Sequence, residues 1–322
     1  MNTAFLLGAG FSKWAADVPV AAQLFDFLIL ASIRDSPKLE RIRGMKEEWD
    51  AAHPAGYSEE FIAHVFERGL QRDRATLSWY IARRLNEPFL WTQHYGGVPR
   101  RRTLSIDETY KRHLPGLDRV RDFLVAHGLE EATGIVTTNY DLLVEYALGS
   151  GGFHYGDKGE QLHGPGAHPM RREIVTLRGT LPLAKLHGSI SWDSDSRYTD
   201  GRRALTGNAL IVAPVPEKTP PPALRGAWRL AATILSRCER VVVFGFAFNP
   251  YDVAVLEMLS DAGRAVRSVE LFDIAPPLKR AHDVWPTAEV VPFLPPGASE
   301  AEAKTGEVHR KRLERTGDVG LP

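Results

Sequence analysis

Short, continuous apolar runs that alternate with helical segments are the feature that most restricts the fold of this chain. Runs such as "AFLL" near the N-terminus, "GIVTT" at 134–138 and "VVVFGF" at 241–246 are short and almost entirely apolar or β-branched. Strands have this character when helices cover both faces of a parallel sheet. The pattern therefore predicts an α/β fold with a Rossmann-like, doubly wound, mostly parallel sheet.

A long block without a strand pattern separates the first run from the next. From about residue 20 to 128, segments such as "EEFIAHVFERGL" and "RATLSWYIARRL" place apolar residues three and four positions apart, as on one face of a helix. The segment "VAAQLFDFLILAS" after Pro19 is also predicted to be helical. We expect one domain over residues 1–295, with 20–128 as a helical insertion or subdomain, and a charged, flexible tail at 296–322.

The chain beyond residue 128 predicts strands that alternate with helices. The predicted strands are "TGIVTTN", "EIVTL", "PLAKLHG", "ALIVAPV", "RVVVFGF", "SVELFDI" and "AEVVPF". The stretch from Ser150 to Arg171 is rich in Gly, His and Pro, which suggests a loop near a site.

Composition excludes several classes of protein. The 40 basic and 40 acidic residues balance to a formal net charge of zero, so the overall field gives no reason to expect direct binding to nucleic acid or to a membrane. No segment approaches the roughly 18 apolar residues of a membrane span, and we expect a cytoplasmic protein. The single cysteine, Cys238, can form neither an intramolecular disulfide nor a cysteine-rich zinc site, and we expect it to be a buried small hydrophobe.

Glycine and polar residues follow two of the predicted strands in the first half of the chain. In "LLGAGFS" (Leu6 to Ser12), glycines would let the backbone approach a pyrophosphate, but the segment lacks a complete Gly-x-Gly-x-x-Gly fingerprint and a Walker A lysine, so a plain tight turn stays open. In "TTNYD", Asn139 lies in a dense polar cluster. Asp141 is read either as an orienting carboxylate or as a helix cap.

Two more segments complete the set. His187 ends the strand "PLAKLHG", where it is either a base or a structural histidine. The segment "VVVFGFAFNPYD" is a strand, a glycine turn and a helix start, and Asn249 or Pro250 at the start of that helix explains most of it. Because ligands bind beyond the carboxyl ends of parallel strands, the four segments are predicted to converge on one crevice.

In this order, "GAGFS", "TTNYD", "KLHGS", "LIVAPVPEK" and "VVVFGFAFNPYD" resemble the sirtuin superfamily, specifically the bacterial sirtuin-like (Sir-two) domains that degrade NAD in antiphage defence. The match spans about residues 4 to 252 and extends to about 274 with "VELFDI". The resemblance implies that Asn139, His187 and Asp141 are catalytic. It also implies that NAD is held by Gly8, Ala9, Gly10, Phe11, Ser12, Thr138, Gly245, Phe246 and Asp273.

The sequence also departs from the protein-deacylating sirtuins, which carry a four-cysteine zinc module and an Asp-Phe-Arg segment after the first motif. The resemblance therefore implies an NAD hydrolase without zinc, which releases nicotinamide and ADP-ribose. It further implies an oligomeric effector activated by a partner in trans, such as a helicase-type ATPase, an Argonaute-like protein or a phage component. A deacylase or ADP-ribosyltransferase, and a non-catalytic module that senses NAD, remain open as alternatives.

Overall fold

The computed structural model describes residues 1–27, 36–54, 56, 58–95, 98–102, 105–156, 180–193, 209–212, 222–249, 252–299, 301, 302 and 304. The strands are β1 (Thr3–Leu7), β2 (Trp91–Tyr95), β3 (Val98–Arg102), β4 (Ala132–Thr137), β5 (Phe153–His154), β6 (Leu181–Lys185), β7 (Gly188–Asp193), β8 (Ala209–Ile211), β9 (Arg240–Phe244), β10 (Ser268–Phe272) and β11 (Glu289–Phe293). The α-helices are α1 (Ala9–Ala16), α2 (Pro37–Ala52), α3 (Ser58–Arg68), α4 (Gln71–Asn86), α5 (Ile106–Tyr110), α6 (Pro115–Ala126), α7 (Leu143–Leu148), α8 (Arg225–Ser236), α9 (Val253–Ala262) and α10 (Leu278–Val284).

Seven of these strands form one sheet in the order β11-β10-β9-β1-β4-β6-β5, and all neighbours in it are parallel. After β1 the chain continues on one side, with β4, β5 and β6, and then crosses to β9 on the other side. The reversal between β1 and β9 is the topological switch point of a doubly wound sheet, where a crevice opens beyond the strand ends. The predicted Rossmann-like α/β fold is confirmed.

The central strands end in register at this edge of the sheet. Leu7, the last residue of β1, pairs with Thr137 of β4 and with Phe244 of β9. Thr137 pairs in turn with Lys185 of β6, and Phe244 pairs with Phe272 of β10. Neighbouring strands lie about 4.8 Å apart. The segments that follow these residues therefore begin side by side.

Aromatic rings hold the first helix against the sheet. Phe11 of α1 lies 5.2 Å from Phe244 and 6.0 Å from Phe123 of α6, measured between ring centroids. Trp14 lies 4.9 Å from Phe244. Burial of each large apolar side chain contributes about 1.5–3 kcal/mol. This packing keeps the start of α1 at the carboxyl edge of the sheet.

Glycines allow the loops after β1 and β9 to touch at the switch point. The N–H of Gly10 donates to the carbonyl of Gly245 at 3.0 Å. A Cβ on Gly8 would lie 2.4 Å from that carbonyl oxygen, and a Cβ on Gly245, whose φ is +59°, would lie 2.4 Å from the nitrogen of Phe11. Glycine is required here because a side chain would force the two loops apart.

The block from 20 to 128 contains a β-hairpin, so the expectation of a block without strands is wrong. β2 and β3 are antiparallel, with Trp91 opposite Arg102 and Tyr95 opposite Val98. In the sequence, Gly96-Gly97 separates them, and two glycines between short runs are a typical hairpin signal that outweighs the helical periodicity of the flanking segments.

The helix predicted for "VAAQLFDFLILAS" is also wrong where it can be compared. Ala21–Gln23 forms one 3₁₀ turn, and Phe27 has a positive φ of 53°, which no α-helix tolerates. Residues 28–32 of that segment lie outside the described residues. Buried contacts replace helical bonds here, since the carbonyl of Leu24 accepts from the hydroxyl of Tyr80 at 2.5 Å and from Arg84 Nε at 3.2 Å.

The strands predicted in the second half are confirmed as β4, β6, β9, β10 and β11, whereas "EIVTL" at 173–177 lies outside the described residues. Of the predicted strand "ALIVAPV", the structure describes residues 209–212, and only Ala209–Ile211 is a strand. This strand, β8, pairs antiparallel with β7 outside the main sheet. β7 and the two-residue β5 were not predicted. Serines interrupt the apolar pattern of β7, and β5 is too short to show one.

Three observations concern the cysteine, metal binding and membrane spans that the composition addressed. Cys238 is fully buried, as expected, and burial raises the pKa of its thiol to about 12. The described residues contain no group of three or more His, Cys, Asp or Glu side chains arranged to hold a metal. Among the described helices, none is both long and apolar enough to cross a membrane.

Replacing Gly245 with alanine should lower the free energy of unfolding by at least about 2 kcal/mol, because alanine is strained at positive φ and its Cβ meets backbone. Gly44→Ala is the matched control. Gly44 lies inside α2 with no atom within 4 Å of an added Cβ, and alanine there should stabilise the protein by about 0.5–1 kcal/mol. Urea unfolding measures both; equal effects would refute the loop contact.

Candidate functional site

The predicted site residues follow the in-register strand ends. Thr137 of β4 pairs with Lys185 of β6. Asn139 comes two residues after Thr137, and His187 comes two residues after Lys185. Gly8 and Gly245 directly follow Leu7 and Phe244, which also pair. The structure therefore brings the polar and glycine segments to one edge of the sheet, as the sequence predicted.

Asn139 joins the end of β4 to the loop after β1. Its side chain is 9% exposed, and Nδ2 donates to the carbonyl of Gly8 at 2.8 Å and to Oγ of Ser12 at 2.9 Å. Its own N–H donates to Oγ1 of Thr137 at 3.0 Å. Oδ1 makes no hydrogen bond to any residue that the structure describes. Asn139 thus keeps an acceptor, and only an acceptor, for a ligand.

The start of α1 meets the requirements of an anion site. In its first turn, the N–H groups of Gly10 and Phe11 already donate within the protein. Ala9 is exposed, and its N–H is bonded to no described residue. The first turn of α1 contains no acidic residue, and its N-cap, Gly8, offers no side chain. The positive end of this helix dipole is therefore available to an anionic group such as a pyrophosphate.

The side chains of the remaining predicted NAD contacts serve the protein itself. The ring of Phe11 lies in the core, and the ring of Phe246 packs at 4.8 Å on Phe248. Thr138 is half-buried and donates its N–H to Leu7 at 3.4 Å. Asp273 accepts from the N–H of Ala275 at 2.8 Å through Oδ1. Their role in binding NAD remains a prediction.

His187 has a carboxylate partner that the sequence reasoning missed. Its Nε2 lies 3.1 Å from both carboxylate oxygens of Asp252, at the start of α9, and each of the two side chains is 8% exposed. A carboxylate only accepts hydrogen bonds, so Nε2 carries the proton of this contact. Nδ1 of His187 has no hydrogen-bond partner among the described residues.

Tyr140 encloses the same pair. Its ring centroid lies 6.2 Å from that of His187. The main chain of Val212 holds the two residues together, because its carbonyl accepts from the Tyr140 hydroxyl at 2.8 Å while its N–H donates to the carbonyl of His187 at 2.9 Å. Burial, and then the negative charges of Asp252 and Glu59, raise the pKa of Tyr140 well above its ordinary value. Tyr140 is therefore a neutral hydroxyl and not a base.

A buried ion pair lies behind these residues. Lys185 Nζ is 2.8 Å from Oε1 of Glu145 on α7, and both side chains are 1% exposed. The same ammonium donates to the carbonyl of Asp141, and the hydroxyl of Tyr155 donates to Glu145 at 2.8 Å. A lysine within the apolar strand "PLAKLHG" was the signal for such a partner, because a buried ammonium needs one.

The carboxylate of Asp141 is buried and hydrogen-bonded to the protein's own main chain. Its Oδ1 accepts from the N–H of Leu143, the first residue of α7, at 2.9 Å, and the residue is 5% exposed. Asp141 precedes the N-cap residue, Leu142, so this contact is a turn that satisfies one free N–H at the start of α7 and resembles the capping role that the sequence left as an alternative. The catalytic role of Asp141 remains a prediction.

Comparison with known families matches residues 133–268 to the SIR2-like domain. This range contains Asn139, Asp141, His187 and Asp252, and it excludes the Gly8–Ser12 loop. A comparison with curated proteins found no match. Over that range the chain is similar to a SIR2-like domain, and this similarity implies the use of NAD.

Solved structures of Sir2 proteins resemble the chain distantly. A structure on the mechanism and regulation of Sir2 enzymes shares 13% identity over 98% of this chain and 93% of its own, with a TM-score of 0.42. A Sir2 protein bound to a propionylated peptide shares 15% over 99% and 94%, with a TM-score of 0.37. A Sir2 mutant with a p53 peptide and NAD shares 15% over 98% and 93%, with a TM-score of 0.32.

Lys185→Met should lower the free energy of unfolding by about 3–5 kcal/mol, because it leaves the carboxylate of Glu145 buried without its cation. The double variant Lys185→Met/Glu145→Gln should recover most of this loss, since it buries no charge. A double-mutant cycle by chemical unfolding measures the coupling.

The control is Lys13→Met, at the exposed pair of Lys13 with Asp17, where the change should stay below about 1 kcal/mol. Additive single effects at Lys185 and Glu145 would contradict the buried-pair interpretation.

Proposed function

We propose that this protein is an NAD glycohydrolase that cleaves NAD to nicotinamide and ADP-ribose. The observation that carries the proposal is the pair of acceptors at neighbouring strand ends, Oδ1 of Asn139 and Nδ1 of His187, beside the acid-free start of α1. Ribose hydroxyls and an attacking water are donors, and the pyrophosphate of NAD is an anion. The site offers a complementary group to each of them.

The chemistry required of the protein is modest. Cleavage of an N-glycosidic bond passes through an oxocarbenium-like transition state, and nicotinamide leaves as a neutral molecule, so no general acid has to protonate it. Asn139 would accept a hydrogen bond from a ribose hydroxyl and fix the sugar. His187 would take a proton from a ribose hydroxyl or from the attacking water, a contribution that is typically about 10²–10⁴-fold. Water adds to the ribose, and the proton passes through His187 to solvent.

A protein deacylase or ADP-ribosyltransferase would use the same edge of the sheet, and a non-catalytic module would bind NAD there without turnover. The chain has one cysteine, which is buried, so the four-cysteine zinc module of the deacylases has no ligands here. This observation favours water as the acceptor over an acyl group. Zinc has no role in the proposed reaction.

We extend the proposal to a biological role from the sequence resemblance. The enzyme would deplete NAD in antiphage defence and would be activated in trans, by a helicase-type ATPase, an Argonaute-like protein or a phage component, with homo-oligomerisation as a second layer of control. No direct contact with nucleic acid is part of this role. The zero net charge of the chain supports that last point.

In a nicotinamide-release assay with purified protein and NAD, His187→Ala and Asn139→Ala should each reduce kcat at least about 10²-fold, because each removes an acceptor from the reacting ribose. Chromatography of the products measures nicotinamide and ADP-ribose. His282→Ala, an exposed histidine on α10, is the matched control and should keep full activity.

Three outcomes would contradict the proposal. Wild-type turnover in both variants would remove the catalytic assignment. Nicotinamide release that requires an acetylated peptide, with the acyl group transferred to ADP-ribose, would identify a deacylase. A thermal shift with NAD and no product, in the presence of the activator, would identify a sensing module.

Cells that carry the wild-type chain with its neighbouring genes should lose most of their NAD after phage infection, and cells with His187→Ala should not. Quantification of NAD in cell extracts before and after infection checks this. An equal fall in both strains would assign the depletion to another protein.

A further inference from the structure

The aspartate at the start of α9 does not cap its helix. Asp252 occupies the N-cap position, where aspartate is among the preferred residues because its carboxylate accepts from the free N–H groups of the first turn. Here the backbone carbonyl of Asp252 accepts from Leu256 at 3.0 Å, but the carboxylate makes no capping bond. The side chain points instead to His187, 65 residues earlier in the chain.

The contact between Asp252 and His187 is buried and has well-defined geometry. Both side chains are more than nine-tenths buried, and both carboxylate oxygens lie 3.1 Å from Nε2 of His187. Among the described residues, His187 is the only ion-pair partner of Asp252. The ring of Tyr140 lies 6.2 Å from the imidazole, measured between centroids, and Val212 links Tyr140 to the main chain of His187. The carboxylate is thus removed from both of its usual partners, water and the helix N-terminus.

We propose that Asp252 is a positioning residue that holds His187 as the Nε2–H tautomer and thereby presents Nδ1 as the proton acceptor. The hydrogen bond made by one ring nitrogen sets the protonation of the other. In this arrangement the proton taken up in the reaction arrives on Nδ1, and the imidazolium is stabilised by the adjacent carboxylate until the proton leaves to solvent. Asp252 itself acts only as a hydrogen-bond acceptor and touches no substrate. The catalytic importance of Asp252 rests on the proposed function, whereas the Nε2–H tautomer of His187 follows from the contact itself and does not depend on that function.

The first test is spectroscopic and needs no activity. Long-range ¹⁵N–¹H spectra of the full chain, labelled at histidine, distinguish the two tautomers of each neutral imidazole in the alkaline range. Loss of one signal set in His187→Gln assigns the residue. We expect the Nε2–H form to dominate in the wild type. Asp252→Asn should shift the population toward the Nδ1–H form, because the amide group can donate to Nε2.

The second test separates positioning from binding. Asp252→Asn should lower kcat for nicotinamide release by about 10²–10⁴-fold with little change in the KM for NAD, as expected when a base is held in the wrong tautomer. Asp252→Glu, which keeps a carboxylate, should recover part of kcat. Asp261→Asn, exposed on the same helix, is the matched control and should change neither the tautomer nor kcat.

The outcomes separate this proposal from the proposed function. A dominant Nδ1–H tautomer in the wild type would overturn the positioning role even if NAD is cleaved, and this result does not depend on whether Asp252→Asn folds. An Nε2–H tautomer that responds to Asp252→Asn would support the positioning role even if NAD is never cleaved. Equal kcat for wild type and Asp252→Asn, in an active enzyme, would also overturn it.

Discussion

One buried ammonium group connects the parts on which the candidate site depends. Lys185 lies two residues before His187, and it binds both the carboxylate of Glu145 and the main chain of Asp141, two residues after Asn139. The cost of burying this charge is recovered only when β6, the loop after β4 and α7 are assembled together. The spacing between the two candidate catalytic residues is therefore tied to folding and not to the ligand.

A second constraint, on the other side of the site, is steric: two backbone segments approach so closely that no side chain fits between them. The loops after β1 and β9 touch through Gly8, Gly10 and Gly245, and no larger residue fits at that contact. The contact determines where the chain leaves β9, and Asp252 follows Gly245 by seven residues. Glycines that could be explained as a cradle for a phosphate are thus needed first to bring two strand ends together. The proposed binding of an anionic group concerns a different feature, the exposed start of α1 at Ala9.

The sequence predicts well those features that depend on local pattern. Apolar runs such as "VVVF" identify strands because burial on both faces removes polar residues from them. The ends of these strands carry the candidate site residues, so the sequence could place Asn139 and His187 at one edge of the sheet, and the structure has them there. The strand order follows from long-range pairing and has no local signal. The hairpin of β2 and β3 was missed because its cue, Gly96-Gly97, is two residues long within helical periodicity.

The pair of His187 and Asp252 shows a different limit. Aspartate before a helix has an adequate local explanation as an N-cap, and the sequence reasoning assigned the start of that helix to Asn249 or Pro250. Nothing local shows that the carboxylate turns away from the helix to reach His187, in the turn between β6 and β7. The opposite case is Lys185, whose charge within an apolar strand has no local explanation and so demands a distant partner. The local explanation available for Asp252 hid its contact with His187, whereas the absence of such an explanation for Lys185 indicated a distant partner.

The two buried carboxylates differ in the charge that opposes them. Glu145 contacts the ammonium group of Lys185, and the opposite charges of this buried pair offset each other. Asp252 faces a histidine, whose charge changes when it accepts a proton. The negative charge of Asp252 is therefore only partly neutralised before the proton moves and is fully matched afterwards. In the proposed reaction, the carboxylate of Asp252 would therefore stabilise the imidazolium that His187 becomes when it accepts a proton.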